Sequence, residues 1–411
     1  MRAEMFGGFG RALSSPHYRL YACGHIANVF GWWGNRLGVG WLTWELTGSA
    51  GWLGIVAFVG MIPVTLISPF AGVLADRHGH RQMAMIAGVS GGIVTLTLAL
   101  LAIGGLATLP LLLGLSMLQG CAFGAEFPAR QALIPQLCER ENVSAALAFN
   151  ATTFQVGTFL GPVLAGFLIT QYGTGASILL FAGTNFWMAL MILLIRFRPA
   201  PRDPGDTRSF LSEIVEGFRY IAATPALRLL FMIAFISGLL LRPYTELLPG
   251  FSDKVFGRGP EGLAALTAAA GFGALICGVL LVFRGRAAGL VRIMLGGAIT
   301  GSIVLALFAT TNTLTSGVAV LAVAAFLMLG CHVGAYSLIQ NATDAEMRGR
   351  VISVNVSISI GGPALGALLI GWLAEAVGLQ WAVASSALLA LCVVLALLPA
   401  VRRATPAMEK D

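Results

Sequence analysis

Long stretches without a charged residue alternate along this chain with short segments that hold nearly all of the charges. No Asp, Glu, Lys or Arg occurs between Glu45 and Asp76, or in the 44 residues from Gln82 to Ala125. A helix needs about 20 apolar residues to cross a bilayer, because it rises ~1.5 Å per residue across ~30 Å of hydrocarbon. The first stretch therefore predicts one membrane span, and the second predicts two.

Applied to the whole chain, the same argument predicts an all-α membrane protein with twelve transmembrane helices. The predicted single spans are Tyr18–Trp44, the stretch between Glu45 and Asp76, Leu227–Gly250 and Gly262–Phe283. The predicted double spans are Gln82–Ala125, Asn142–Ile195, Ile293–Thr343 and Val351–Val401. Their internal turns are expected at Gly104–Pro110, Gln171–Gly175, Thr310–Thr313 and Glu375–Gln380.

The composition agrees with this interpretation. Hydrophobic residues make up 57% of the chain and charged residues 10%, whereas soluble domains carry about 25% charged residues. So few charges cannot cover a surface that faces water. This excludes a soluble enzyme, a nucleic-acid-binding domain and a disordered protein.

The positive charges predict the orientation in the membrane. Cytoplasmic loops of membrane proteins are enriched in Lys and Arg. With the N-terminus placed inside, 21 of the 25 basic residues fall in inner segments, Lys254 and Arg258 fall outside, and Arg36 and Arg242 fall within spans. Both termini are therefore expected in the cytoplasm. This bias also explains the net charge of +7 without a nucleic-acid partner.

A polar connection between residues 196 and 228 divides six predicted spans from six. Its first part, RPAPRDPGDTR from Arg198, is a proline-rich linker, and Ser209–Ala223 has helical periodicity. The latter predicts a short amphipathic helix on the inner membrane surface, or alternatively a solvated connector. The expected domains are residues 1–200, a linker of residues 201–225, and residues 226–411.

The two halves align locally when one is shifted by 205 residues. The matched pairs are Glu141 with Glu346, Asn150 with Asn355, Gly161 with Gly366, Gly166 with Gly371, and Gly173 with Gly378. Internal repeats of this kind are common in transporters, whose substrate site lies near the repeat interface. We therefore expect two six-helix bundles.

Two glycine-containing motifs carry a family resemblance. Gly72–Arg81 reads GVLADRHGHR and lies between predicted spans 2 and 3, and Gly157–Gly166 reads GTFLGPVLAG on span 5. They resemble the signature loop and the antiporter motif of the major facilitator superfamily, although His80 and Ala165 depart from the usual pattern. For the second motif, Gly157, Gly161, Pro162 and Gly166, ordinary helix packing is the alternative.

The segment EFPARQALIP from Glu126, expected as the loop after span 4, and MRGRV from Met347 are similar to the enterobactin-exporter-like branch, which includes siderophore and multidrug exporters. The resemblance implies a cytoplasmic gate. Its residues would be Gly72, Asp76, Arg77, Gly79, Arg81, Glu126, Arg130, Arg348 and Arg350.

One position departs from the pattern of related exporters. Many proton-driven drug exporters carry an arginine in span 4 where this chain has Ser116. Charged residues inside spans are costly and point to function, so we predict a cavity or proton pathway at Asn35, Arg36, Arg242, Glu246, Asn150 and Asn355. Glu246 would titrate while paired with Arg36 or Arg242; a static pair between Glu246 and Arg242 is the alternative.

Other polar residues in spans, including His25, Asn28, His332 and Tyr336, are expected to form hydrogen bonds between helices or to bind a ligand.

The resemblance implies a secondary transporter in the cytoplasmic membrane of a bacterium. It would export a small organic molecule by alternating access in exchange for protons, and act as a monomer among membrane lipids. Uptake of a metabolite is the alternative within the fold, and a polytopic membrane enzyme is the alternative from another class. We expect no catalytic residues, no metal, no cofactor and no nucleic-acid partner, and the chain has no ATP-binding loop.

Overall fold

The protein is helical over nearly all of the residues that the structure, a computed structural model, describes, namely 8–195, 210–284, 289–344 and 346–409. The side chain of Asp76 and the proline-rich linker from Arg198 to Arg208 lie outside the described part. The described helices are α1 (Gly8–Ala12), α2 (Pro16–Thr47), α3 (Ala50–His78), α4 (His80–Ile103), α5 (Leu109–Leu137), α6 (Val143–Tyr172), α7 (Thr174–Leu194), α8 (Phe210–Ala223), α9 (Pro225–Ile236), α10 (Tyr244–Gly250), α11 (Gly259–Arg284), α12 (Leu290–Ala309), α13 (Leu314–Asn341), α14 (Arg348–Val377) and α15 (Leu379–Met408).

Eleven helical stretches within the described residues are long and apolar enough to cross a membrane. The predicted turns inside the four double stretches are confirmed, since each lies between two of these helices. Helix α2 is not among the eleven. It has 32 residues, and its polar residues, which include Arg19, His25 and Arg36, lower its hydropathy.

The chain forms two compact units. The first comprises Met1–Leu46 and Val59–Asp206, and the second comprises Thr47–Phe58 and Thr207–Asp411. The core of the first unit includes Tyr18, Leu133 and Ile192. The core of the second includes Leu227 and Met294.

Two helix ends have the same backbone conformation at positions related by the 205-residue shift. Gly173 has φ 84° and ψ 167°, and Gly378 has φ 87° and ψ 156°. The N–H of each glycine donates to a carbonyl four residues earlier at 2.9 Å. Only glycine adopts such a positive φ at little cost, which explains a glycine at both positions.

Two sequence predictions about local structure are wrong. Gly72–His78 belongs to helix α3 rather than to a loop, and the turn before α4 consists of Gly79 alone, with φ 100°. Glu126 and Arg130 were expected in a loop, but α5 continues through both to Leu137. The span predicted at Leu227–Gly250 lies within a helical stretch, Pro225–Val255, that is long and apolar enough to cross a membrane. It contains the π-helical segment Ser237–Leu241, and a second π-helical segment, Phe251–Val255, follows it.

The first π segment precedes Pro243, which lacks a backbone N–H and cannot continue a regular hydrogen-bond ladder. Here the N–H of Arg242 donates to the carbonyl of Ser237, five residues earlier, at 3.2 Å. Arg242 thus lies between this π segment and α10, which begins at Tyr244.

The predicted helix Ser209–Ala223 is confirmed as α8. Within this helix Ile221 lies in the core, whereas Phe218 is 51% exposed. Glu216 on this helix forms an ion pair with Arg350 of α14 at 3.0 Å. A position of α8 at the membrane surface stays a prediction.

Candidate functional site

A buried ion pair lies in the first unit. Glu126 Oε1 and Arg130 Nη1 are 2.8 Å apart, one helical turn from each other on α5. Glu126 is 4% exposed and Arg130 is 8% exposed. Two charges can be buried in this way only when they compensate each other and find further hydrogen bonds. The sequence predicted a loop here because the charge-free run ends at Ala125.

Helix α2 supplies the further hydrogen bonds. Arg130 Nη1 donates to Asn28 Oδ1 at 2.7 Å, and Arg130 Nη2 donates to His25 Nδ1 at 3.1 Å. The guanidinium can only donate, so His25 Nδ1 accepts. The hydrogen of the ring is then on Nε2, which donates to the carbonyl of Asn150 at 3.4 Å. In this arrangement His25 is therefore neutral.

The network extends to two more helices. Asn28 donates to Asn185 Oδ1 on α7 at 2.9 Å. On α6, Asn150 Oδ1 accepts from the Tyr18 hydroxyl at 3.0 Å. Of the two alternatives that the sequence offered for His25 and Asn28, hydrogen bonds between helices are confirmed. The sequence alone does not indicate that Tyr18 and Asn185 belong to this network, because neither residue lies in a recognisable motif.

Three buried donors of this network have no hydrogen-bond partner among the described residues. They are Arg130 Nε, Asn150 Nδ2 and Asn185 Nδ2. Each unsatisfied buried donor costs about 1–3 kcal/mol.

The glycines of the predicted antiporter motif bring α6 close to α2. A Cβ atom on Gly157 would collide with Val29, and one on Gly161 would lie 2.6 Å from Trp33 Cβ. Pro162 and Gly166 are buried in the same helix. The motif thus has a packing role in this unit. A link of the motif to transport stays a prediction.

Arg36 and Asn35 follow on α2. The Arg36 guanidinium carbon lies 5.3 Å from the centre of the Trp32 ring and 5.8 Å from that of Trp33, which is the range of cation–π attraction. Asn35 Oδ1 is buried without a hydrogen-bond partner among the described residues.

In the predicted signature segment, Arg81 holds the end of another helix. It donates to the carbonyls of Ile192 and Leu193 at 3.1 and 2.8 Å. These carbonyls lie at the C-terminus of α7, where a positive charge is favourable. Arg77 is exposed, and so is Arg348 at the start of α14.

The second unit contains a cavity with the predicted residues Arg242 and Asn355 on its wall. Glu246 lies one turn after Arg242, and its Oε1 accepts from the Thr245 hydroxyl at 3.4 Å. The pairing of Glu246 with Arg36 or Arg242 stays a prediction.

Comparison with known proteins decides the family. A family model described as "Transmembrane secretion effector", from the major facilitator superfamily, matches residues 12–411. The chain belongs to the major facilitator superfamily. The family resemblance inferred from the motifs is confirmed, and membership in this superfamily indicates a multi-pass membrane transporter rather than an enzyme.

Several curated members of the superfamily are similar in sequence. The multidrug efflux pump Tap of Mycolicibacterium fortuitum is 28% identical over 83% of this chain and 85% of its own length. The enterobactin exporter EntS of Escherichia coli O1:K1 is 28% identical over 80% of this chain and 77% of its own. The staphyloferrin A transporter of Staphylococcus aureus is 26% identical over 54% of this chain, and the match spans only 56% of that protein.

Solved structures of the superfamily share the fold. A bacterial homologue of the human lysosomal transporter Spinster matches with a TM-score of 0.77 at 15% identity, over 96% of this chain and 99% of that chain. The nucleoside transporter NupG matches with a TM-score of 0.73 at 12% identity, over 93% of this chain and 98% of that chain. At such identities the likeness concerns the fold alone.

Proposed function

We propose that this protein exports a small organic molecule, siderophore- or drug-like, across the cytoplasmic membrane of a bacterium by alternating access, driven by proton antiport. The direction is supported by the similarity to an exporter and an efflux pump, each 28% identical. The observation that carries proton coupling is the Glu126 carboxylate, which is buried within a membrane helix and paired with Arg130.

The coupling follows from the charges of the cluster. With Glu126 ionised and His25 neutral, the charges of Glu126 and Arg130 cancel. A proton on Glu126 would leave the Arg130 guanidinium buried without a counter-ion, and removing one partner of a buried pair costs about 3–5 kcal/mol. Protonation therefore favours a conformation in which Arg130 reaches water or another acceptor, while loss of the proton favours the closed cluster.

Position 116 is a serine in this chain, where many proton-driven drug exporters have an arginine. Arg130 lies on the same helix, fourteen residues further along α5, or about 21 Å at the rise of a helix. A basic group is thus still present on this helix, nearer its C-terminal end. We propose that the pair Glu126–Arg130 performs the coupling and that Glu246 is the second candidate.

The wider architecture is part of the proposal. Helix α2, which at 32 residues is about 48 Å long, would be the twelfth span. Residues 1–200 and 226–411 would form two six-helix bundles joined by the linker 201–225, with both termini in the cytoplasm and the protein a monomer.

We propose that the remaining residues predicted for the cytoplasmic gate form that gate. These are Gly72, Asp76, Arg77, Gly79, Arg81, Arg348 and Arg350. The support is the match of the segment to the family motif, the turn at Gly79 and the basic residues that flank the turn.

Inside-out membrane vesicles test the function. A panel of dyes and iron-chelating compounds is added outside the vesicles, and uptake is recorded when the lumen is made acidic. We expect uptake that requires the protein and stops when a protonophore is added. Substrate movement only from the lumen outwards would indicate the importer alternative and contradict the proposal.

A further inference from the structure

Helix α8 is held against the rest of the second unit by one of its sides. Gly217 lies next to α14, where a Cβ atom would be 3.2 Å from the carbonyl oxygen of Arg350. Ile221 is buried in the core of this unit, and the Tyr220 hydroxyl donates to the carboxylate of Asp344 at 2.7 Å. Gly217, Tyr220 and Ile221 follow one another at helical spacing and so lie on one side of the helix. These contacts fix which side of α8 faces the protein.

The other side of α8 carries apolar side chains that the described part of the chain leaves exposed. Val215 is 58% exposed and Phe218 is 51% exposed. Ala222, four residues after Phe218, is exposed as well and continues the stripe. A helix with one side packed on the protein and an apolar stripe left open on the other is suited to lie on a membrane surface.

The position of α8 in the chain places it beside the membrane. It ends at Ala223, and the stretch Pro225–Val255, which is long and apolar enough to cross a membrane, begins two residues later. Only Thr224 separates the two, and its extended backbone, with φ −99° and ψ 105°, breaks the regular helix there. A helix joined to a membrane span by a single residue lies close to the lipid headgroups. The apolar stripe therefore has the hydrocarbon of the bilayer within reach.

Two arginines beside this stripe have no partner among the described residues. Arg219 lies one helical turn after Val215 on α8, and Arg228 lies in the first turn of α9; both are exposed. Neither forms a hydrogen bond or an ion pair within the described ranges. Glu216, the acidic neighbour on α8, is instead paired with Arg350 at 3.0 Å. Two positive charges at the edge of an apolar surface are thus available to a negatively charged headgroup, which long arginine side chains can reach.

We infer that the surface formed by Val215, Phe218, Arg219, Ala222 and Arg228 binds an anionic phospholipid of the cytoplasmic leaflet, an inference that rests on the proposed orientation of the chain. The apolar stripe contacts the upper part of the acyl chains, and the two guanidinium groups bind the headgroup phosphate. Each basic residue at a membrane surface strengthens binding to anionic lipids by up to about fivefold. A soluble phosphate ester has no acyl chains and would meet the arginines alone.

Quenching by brominated lipids tests this surface directly. A bimane label is attached to Phe218→Cys in the full-length chain after its six native cysteines have been replaced, and the protein is reconstituted into phosphatidylcholine vesicles. Phosphatidylglycerol or phosphatidylcholine, brominated on the same acyl chains, is included at equal mole fractions. We expect both lipids to quench the label, because it lies among acyl chains, and phosphatidylglycerol to quench it with a severalfold higher apparent affinity.

Substitutions of the arginines then locate the headgroup. Arg219→Gln and Arg228→Gln are each expected to reduce the preference for phosphatidylglycerol, by up to about fivefold, and the double variant is expected to remove it. The control is Arg140→Gln, at an exposed arginine of the first unit, which should leave the preference unchanged. A label at Val215→Cys should give the same results as the label at position 218, since both positions lie on the stripe.

Three results would overturn the inference. Absence of quenching at both labelled positions would show that water or another protein covers the stripe. Equal quenching by the two lipids would show that the arginines do not select the headgroup. Loss of the preference on addition of glycerol phosphate would assign the arginines to a soluble anion. Quenching is measured without transport, so absence of proton-driven export would contradict the proposed function and leave this inference standing.

Discussion

Gly161 lies directly against Trp33, so that a Cβ atom on the glycine would be 2.6 Å from the Cβ of the tryptophan. The second unit repeats this contact, with Gly366 against the backbone of Leu239. Gly366 follows Gly161 by 205 residues and Leu239 follows Trp33 by 206. A π turn adds one residue to a helical turn, and the π segment Ser237–Leu241 accounts for the difference. In each unit an arginine follows three residues after this contact: Arg36 follows Trp33 in the first unit, and Arg242 follows Leu239 in the second.

Alanine at these glycines should be destabilising, and more so in the second unit. Gly161→Ala meets a tryptophan side chain, whereas Gly366→Ala meets a backbone carbonyl that cannot rotate away. We expect losses of about 1–3 kcal/mol, as for other overpacked sites. The measurement is thermal unfolding of the purified protein in detergent. Gly183→Ala is the control, since no atom lies within 4 Å of the added Cβ position, and a melting temperature for Gly366→Ala equal to that of this control would contradict the packing.

The buried ion pair should show strong coupling in a double-mutant cycle. Glu126→Gln and Arg130→Gln each leave one buried charge alone, at a cost of about 3–5 kcal/mol, but the double variant leaves none. We therefore expect the double variant to be more stable than either single variant. The more accessible pair Glu216 and Arg350, whose side chains are 50% and 20% exposed, serves as the reference. Additive effects at Glu126 and Arg130, as for that reference pair, would show that the two charges are not coupled.

The sequence predicts the helices and their turns because apolar length alone decides them. It fails at Glu126 and Arg130, which were interpreted as loop residues since charges normally require water. These two neutralise each other one turn apart, so the helix continues through them. The contact between Arg130 and His25 joins residues 105 positions apart, and no local pattern indicates such a partner. The π turn before Pro243 lies against Gly366, and this contact between residues far apart in the sequence is likewise not indicated by any local pattern.

The thiol of Cys138 should react slowly. Cys138 follows the last residue of α5, and burial raises the pKa of its thiol to about 11. A raised pKa means less thiolate at every pH below it, and the thiolate is the reactive form. Compared with a thiol of pKa 9, alkylation at pH 8 should be about 100-fold slower.

The matched control for that rate is Gln136→Cys, an exposed site two residues earlier. Each cysteine is studied as the only one in the chain, and the rate of maleimide alkylation is followed with pH. Equal rates for the two thiols at pH 8 would contradict the burial of Cys138.

The central claim is that Glu126 couples export to protons, and pH-gradient-driven uptake by inside-out vesicles containing Glu126→Gln tests it most directly. Glutamine keeps the shape of the side chain but cannot exchange a proton. We predict that gradient-driven uptake is lost while exchange of labelled for unlabelled substrate continues without a gradient. Glu261→Gln, at an exposed carboxylate near the start of α11, should transport as the wild type does. Uptake by Glu126→Gln with the pH dependence of the wild type would contradict the account.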